Sequence, residues 1–270
     1  MSKPPSFHEV RVSGLSPILL QSHTAEKAAD KAMHTHAEGQ VYLATQGLVV
    51  VETAEGRIIM PPGRLGWIPP MVPHGATIIG GLRGQAPGTI VGFSLYLLPA
   101  LCAALPAEPV VLVQSDMTKL ILQRMRSWPR RQALGEAERR LLDVFLGEIQ
   151  AAPPEPLRLK MPRERRLAML AAAIASDPAD ETSLDAWEGR IGMSRRTITR
   201  RFRDETGMSV VEWRQVARLQ RGLELLGDGM PVTNVALTLG YDSVSSFIAL
   251  FRRMLGTTPA KFAAQQMAAA

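Results

Sequence analysis

The chain of 270 residues has little sulfur chemistry to offer. It holds one cysteine, Cys102, so no internal disulfide can form and a reducing, cytoplasmic setting fits. By itself that thiol reads as a small buried apolar residue. No uninterrupted apolar stretch is long enough to span a membrane. The opening residues, MSKPPSFHEV, lack the apolar core of a signal peptide. No glycine-rich loop suited to cradling phosphate is present, and no residue pattern supports nucleophilic or hydrolytic catalysis. Acid excess is missing too. The chain has 31 Lys+Arg against 25 Asp+Glu, a net charge of +6. An apolar content of 46% and a charged content of 21% describe an ordinary soluble protein of about two domains.

The positive excess is concentrated. Residues 160–270 hold 16 Lys+Arg against 12 Asp+Glu, and the rest of the chain 15 against 13. Residues 195–203 carry five arginines and no acid, which is a local anion-binding surface rather than general basicity. This cluster sits in the first copy of a repeat. IGMSRRTITRRFRDETGMSVVEW (191–213) and LGYDSVSSFIALFRRMLGTTPAKF (239–262) share a frame: an apolar residue and a Gly, an amphipathic helix, a Phe-basic pair and a Gly. Phe202 and Gly207 recur as Phe251 and Gly256 at an offset of 49. Leu184, Ala186 and Ile191 have counterparts in Val232, Asn234 and Leu239 at an offset of 48. Such a repeat predicts two copies of one helical unit. A short helix, a turn with Gly and a second helix form the helix-turn-helix plan for entering a DNA major groove.

Within the first unit, Ser194 is a natural N-cap, and Ile198 and Phe202 face inward with Met193 nearby. The opposite surface then carries Arg196, Thr199 and Arg200 on one stripe. Arginine can take guanine O6 and N7 with two hydrogen bonds, and threonine can contact a thymine methyl. Arg195, Arg201 and Arg203 lie off that stripe, suited to phosphates or flanking acids. In the second unit Asp242 or Ser243 caps the helix, and Phe247 and Phe251 face inward. Val244, Ser245, Ile248 and Ala249 form its leading surface, with Ser246 beside them and Arg252 and Arg253 at the far end. Such side chains cannot make bidentate base contacts, so this helix should mainly position the protein on phosphates.

Residues 163–265 resemble the DNA-binding domain of the AraC/XylS family of bacterial transcription regulators. The likeness runs through both units and the long helix between them (210–226). The resemblance implies that the two units enter successive major-groove segments on one DNA face. By position it places Arg196, Thr199 and Arg200 at bases in the first helix, and Ser245, Ser246 and Ala249 at the second. Ala249 departs from relatives that carry a long polar side chain there.

The N-terminal part differs. From about 10 to 100, short apolar runs bounded by Gly and Pro (VYLATQG, LVVVETAEG, RIIMPPG, LGWIPP, TIIGG) predict a small antiparallel barrel or sandwich. Helical period follows at 116–128 and 136–150. In the second of these, Leu141, Leu142, Phe145, Leu146 and Ile149 form a stripe that packs on the barrel or serves as a dimer contact. Three prolines in 153–156 stop the helix and favour extended backbone. The reading is therefore an α+β chain of two domains. Residues 1–155 form a β-barrel with following helices, 151–162 a linker, and 163–270 an all-α domain with two helix-turn-helix units.

MHTHAEGQ puts His34, His36 and Gln40 on one side of a strand, and PPGRLGWIPPMVPHGA ends in His74. The pattern resembles the cupin barrel. Where metal-binding cupins usually have Glu, this chain has Gln40, and Glu38 has moved to two after His36. A neutral amide is a poorer partner for a divalent cation than a carboxylate. The favoured reading is a pocket for an organic effector lined by His34, His36, Gln40, Trp67 and His74, with Pro69, Pro70 and Met71 adding walls. Metal held by His34, His36 and His74 is the less favoured one, and no cofactor is otherwise expected. His8 and His23 read as surface or packing residues.

The expectation is a cytoplasmic, effector-responsive regulator of promoter DNA, with RNA polymerase and a second copy of the chain as candidate partners and no membrane role. The sequence around the barrel resembles a branch of the family whose members often act on neighbouring transporter genes for toxic compounds. Two competing readings are a metal-dependent cupin enzyme fused to a DNA-binding domain and an inert barrel used only for dimerisation.

Overall fold

A computed structural model describes residues 17–24, 32–79, 90–128 and 133–268. His8 and the expected start of the barrel lie outside these. The chain divides into two compact units. One comprises residues 1–54 and 58–155, the other 55–57 and 156–270.

The first unit is built from β1 (Ile18–Thr24), β2 (Gly39–Ala44), β3 (Leu48–Thr53), β4 (Gly56–Met60), β5 (Arg64–Ile68), β6 (His74–Ile79), β7 (Ile90–Leu97) and β8 (Val110–Val113), then α1 (Asp116–Met125), α2 (Glu136–Ala151) and the short β9 (Pro154–Glu155). One sheet runs β1-β7-β2-β5-β8-β9, and the other contains β4, β3 and β6 in that order. Each apolar run named above falls on a strand, because alternation leaves one face for each of two layers.

The two faces of the larger sheet differ in chemistry. Val41, Leu43, Leu65, Trp67, Leu95 and Leu97 share one cluster with Ile121, Leu122 and Met125 of α1 and Leu142, Phe145 and Ile149 of α2. Leu141 and Leu146 pack against the same cluster. The α2 stripe is thus buried on the sheet, which disfavours a dimer contact through it. The alternate residues Gln40, Tyr42, Ser94 and Tyr96 are also buried, and their pairing (Gln40 with Tyr96, Tyr42 with Ser94) puts them on the opposite face. Gly66 has no side chain because Met60 Sδ occupies the place a Cβ would take.

In the second unit, β10 (Arg158–Lys160) precedes seven helices: α3 (Arg165–Ser176), α4 (Leu184–Ile191), α5 (Arg195–Thr206), α6 (Val210–Gly227), α7 (Val232–Thr238), α8 (Val244–Leu255) and α9 (Pro259–Ala268). The prolines end α2 at Ala151 and the chain continues extended, as their fixed φ requires. The first helical core joins Leu167, Leu170 and Ile174 of α3 to Trp187, Ile198, Phe202 and Trp213. Around α8, Tyr241, Phe247, Phe251 and Phe262 form a run of ring contacts with centroids 5.4–5.7 Å apart. Gly222 of α6 admits this layer, since an added Cβ would lie 3.2 Å from Leu239 and 3.3 Å from Phe247. No described helix is long and apolar enough to cross a membrane.

Candidate functional site

Each recognition helix is framed by the same local physics. Ser194 caps α5 by accepting from the Thr197 N–H, and Gly207 ends it in the left-handed region. Ser243 caps α8 by accepting from the Ser246 N–H, and Gly256 ends it likewise. These devices satisfy terminal N–H and C=O groups that the helices cannot pair internally. Ile198, Phe202, Phe247 and Phe251 are fully buried, which fixes the faces turned outward.

The outward face of α5 is continuous. Arg195, Arg196, Thr199, Arg200 and Arg203 are exposed and line one shallow concavity together with Asp204. Arg203 therefore joins the stripe from which the sequence pattern separated it, being one turn beyond Thr199 and Arg200. Arg195 is turned to a flanking acid, with Nη1 3.3 Å from Asp185. Arg201 is exposed as well, on another side of the helix.

The corresponding face of α8 is smaller. Ser245, Ser246, Ala249, Arg252 and Arg253 are exposed, but Val244 and Ile248 are half-buried and do not form the open surface expected. The Ser246 hydroxyl lies 2.9 Å from that of Ser243, so it is already part of the cap. Arg253 donates to the Gln215 side chain at 3.0 Å.

What holds the two units in register escaped the sequence pattern. Arg218 of α6 donates to the Pro178 carbonyl at 2.8 Å, meets Glu181 at 3.2 Å and stacks over the Tyr241 ring at 5.3 Å. Pro178 and Glu181 precede α4, and Tyr241 lies in the turn before α8, so one guanidinium ties both helix-turn-helix units. Gly240 approaches Ala179 so closely that a Cβ would sit 3.2 Å from its carbonyl oxygen. An arginine on a long amphipathic helix looks like any solvated charge, which is why no pattern marked it.

In the first unit, His34 and His36 lie in the segment before β2, not on a strand. His34 pairs by two backbone hydrogen bonds with His74 at the start of β6, at 2.9 and 3.0 Å. The three rings are neighbours, with centroids 4.5–5.6 Å apart. Each directs Nδ1 at a backbone carbonyl: Ala32 at 3.0 Å, Glu38 at 2.9 Å and Val72 at 2.8 Å. A neutral imidazole has one N–H, and where Nδ1 carries it the lone pair lies on Nε2. The three side chains' ligating nitrogens lie within 4.8 Å of one another.

Gln40, fully buried, is 3.0 Å from both His36 Nε2 and His74 Nε2, and 2.9 Å from Ser94 Oγ. Burial lowers the His74 pKa to about 4, with the neighbouring histidines adding to the effect. It is therefore neutral at pH 7 and has no second N–H to donate to Gln40. The structure turns Gln40 Oε1 to the histidines and its NH2 to Ser94; a neutral His74 whose Nδ1–H serves Val72 is matched instead by the reversed amide, with NH2 toward His74 and the carbonyl accepting from Ser94. His23 completes the chain at 2.7 Å from Ser94 Oγ. Buried at 5% exposure, it is part of this network rather than an isolated packing residue. The Tyr96 phenol interacts with Ser94 and Gln40, and burial raises its pKa.

Trp67 does not join this group. It pairs with Val41, one residue along from Gln40, and so faces the layer of α1 and α2, where its Nε1 donates to the Pro106 carbonyl at 2.7 Å. Strand alternation excludes it from the pocket wall. Met71, 64% exposed, points to solvent and adds no wall either.

A β-structured unit with a buried polar cluster, followed by two capped helix-turn-helix units, defines a ligand-responsive DNA-binding transcription regulator. A model for the AraC-like ligand binding domain matches residues 21–159, and a helix-turn-helix domain model matches 187–265. The chain belongs to the AraC family of transcription regulators. The HTH-type transcriptional regulator NimR of Escherichia coli K12 is 26% identical over 266 residues, covering 96% of this chain and 94% of NimR. The regulator RipA of Corynebacterium glutamicum is 36% identical over 107 residues, 40% of this chain and 32% of RipA. Among solved structures, ToxT from Vibrio cholerae O395 matches 93% of this chain and 96% of its own, at 10% identity and a TM-score of 0.39.

Proposed function

We propose that α5 supplies most base recognition and that α8 chiefly places the protein on the DNA backbone. The observation that carries this is the concave face of α5, where Arg196 and Arg200 stand exposed with no ion pair among the described residues. Arg195, Arg203, Arg252 and Arg253 contact phosphates, as does Ser245, while Ser246 serves its cap. Footprinting of the adjacent intergenic DNA with wild type and with Arg196→Ala tests this. Specificity at one base pair should relax with the footprint otherwise kept, and an unchanged base preference would overturn the reading.

In the first unit, the polar group of an organic effector bonds to the cluster of His34, His36, Gln40 and His74. Gln40 supports this, since a neutral amide rather than a carboxylate stands 3.0 Å from both His36 and His74. A divalent ion is the second reading, favoured by the convergence of one ring nitrogen from each of three histidines, a donor set suited to first-row metals. Such an ion would supply a Lewis-acidic positive charge. Cobalt(II) titration followed by visible absorption decides between them: a d–d band lost in His74→Ala establishes the ion, and no band favours the effector. An effector shifts DNA binding only by its different affinity for two states of the protein. The protein acts in the cytoplasm as a regulator rather than an enzyme, with RNA polymerase and a second copy of itself as partners. Control of a neighbouring transporter gene rests on the branch-level likeness of the barrel sequence.

A further inference from the structure

The larger sheet's outer face and α1 leave a cavity of about 440 Å³, within the range that small molecules fill. Its floor is Leu20, Leu43 and Phe93, and α1 with its C-cap contributes Lys119, Leu122 and Arg126. These three helix residues share one face, at spacings of three and four. Leu43 and Phe93 alternate with Tyr42 and Ser94 along β2 and β7, so the cavity lies across the sheet from the histidine cluster.

Its chemistry is that of an amphipath. The floor is apolar, and the rim carries two cations, Lys119 and Arg126, against one acid, Asp116. Arg126 lies over the Phe93 ring, 4.7 Å from its centroid, which holds the guanidinium beside the apolar floor. Neither cation makes an ion pair among the described residues. A ligand with one negative group and an apolar body matches both halves: carboxylate and guanidinium form paired hydrogen bonds, and a ring or short chain covers the leucines and Phe93.

We propose that this cavity is a second small-molecule site, distinct from the histidine cluster, and that it takes a monoanionic organic acid with an apolar ring or short chain. Such an acid would bridge the sheet and α1, so its occupancy would favour the packed position of that helix.

The test uses the full chain, 4-phenylbutyrate and its uncharged amide, with binding followed by calorimetry at low salt. The acid should bind at least tenfold more tightly than the amide. Lys119→Gln with Arg126→Gln, both at exposed positions, should remove that preference while leaving the amide unchanged. Leu122→Trp should block both compounds, and His74→Ala should affect neither. Equal affinity for acid and amide, or no binding of either at millimolar concentration, overturns the proposal. Loss of acid binding in His74→Ala, with the α1 variants silent, also overturns it and places the acid at the histidine cluster instead.

Discussion

The helices α5 and α8 occupy equivalent places in a repeated unit, yet only their hidden faces agree. Ser194, Ile198, Phe202 and Gly207 match Ser243, Phe247, Phe251 and Gly256, one for one, 49 residues on. Even the hydroxyl beside each cap is kept, Thr197 or Ser246 at 2.9 Å from its serine. Outside, Arg196 becomes Ser245 and Arg200 becomes Ala249, while at the margin of the hidden face exposed Arg201 has buried Leu250 as its counterpart. Burial and capping constrain the inner positions in both copies, because a lost ring or an unpaired terminus costs the fold of either unit. Solvent-facing positions bear no such cost and are open to different chemistry.

The sharpest test of the shared frame is deletion of its rings. Phe202→Ala and Phe251→Ala should each destabilise the helical unit by about 3–5 kcal/mol, measured by urea unfolding. A difference between them larger than that range would break the equivalence of the two copies.

Acid should separate the β-structured unit from the helical one. Burial lowers the His23 pKa from 6.5 to about 4. A group depressed in this way contributes its stability fully above pH 6.5 and loses it as pH falls toward 4. The loss reaches roughly 3 kcal/mol, at 1.36 kcal/mol per pKa unit. Melts at pH 7.5 and 4.5 should show it, and His23→Gln should remove this part of the step.

The outer faces call for binding measurements. Arg196→Ala and Arg200→Ala should each weaken operator binding by about 1–3 kcal/mol and relax specificity at one base. Ser245→Ala should cost less, and a series in which it is the most damaging would reverse the division of labour. The smallest effect is expected at the caps: Ser194→Ala and Ser243→Ala should each cost about 1 kcal/mol of stability, by the same amount in both copies.

Much of this was legible in the chain. Apolar periods of two and of 3.6 residues marked strands and helices, because burial imposes them locally. The cap at Ser194 was visible for the same reason, the second cap was narrowed to Asp242 or Ser243, of which the structure uses Ser243, and the inward pair in each recognition helix was visible too. Less visible were positions decided by neighbours distant in sequence. Trp67 looked like a pocket wall until pairing with Val41 turned it toward α1 and α2. His23 gave no sign of a role, since its partner Ser94 lies 71 residues on. Arg203 falls outside the three-residue stripe of Arg196, Thr199 and Arg200, yet helical spacing puts it one turn further along the same face.

By itself, then, the sequence determined the two-part plan, the repeated helical frame and the arginine-rich face, all of which follow from short-range periodicity and charge. Tertiary structure alone decided which alternate residues of a strand share a face, how Gln40 meets both His36 and His74, and how Arg218 ties the two helix-turn-helix units. The physical reason is range: capping and periodicity act within a few residues, whereas hydrogen-bond donors and acceptors are matched only after distant segments meet.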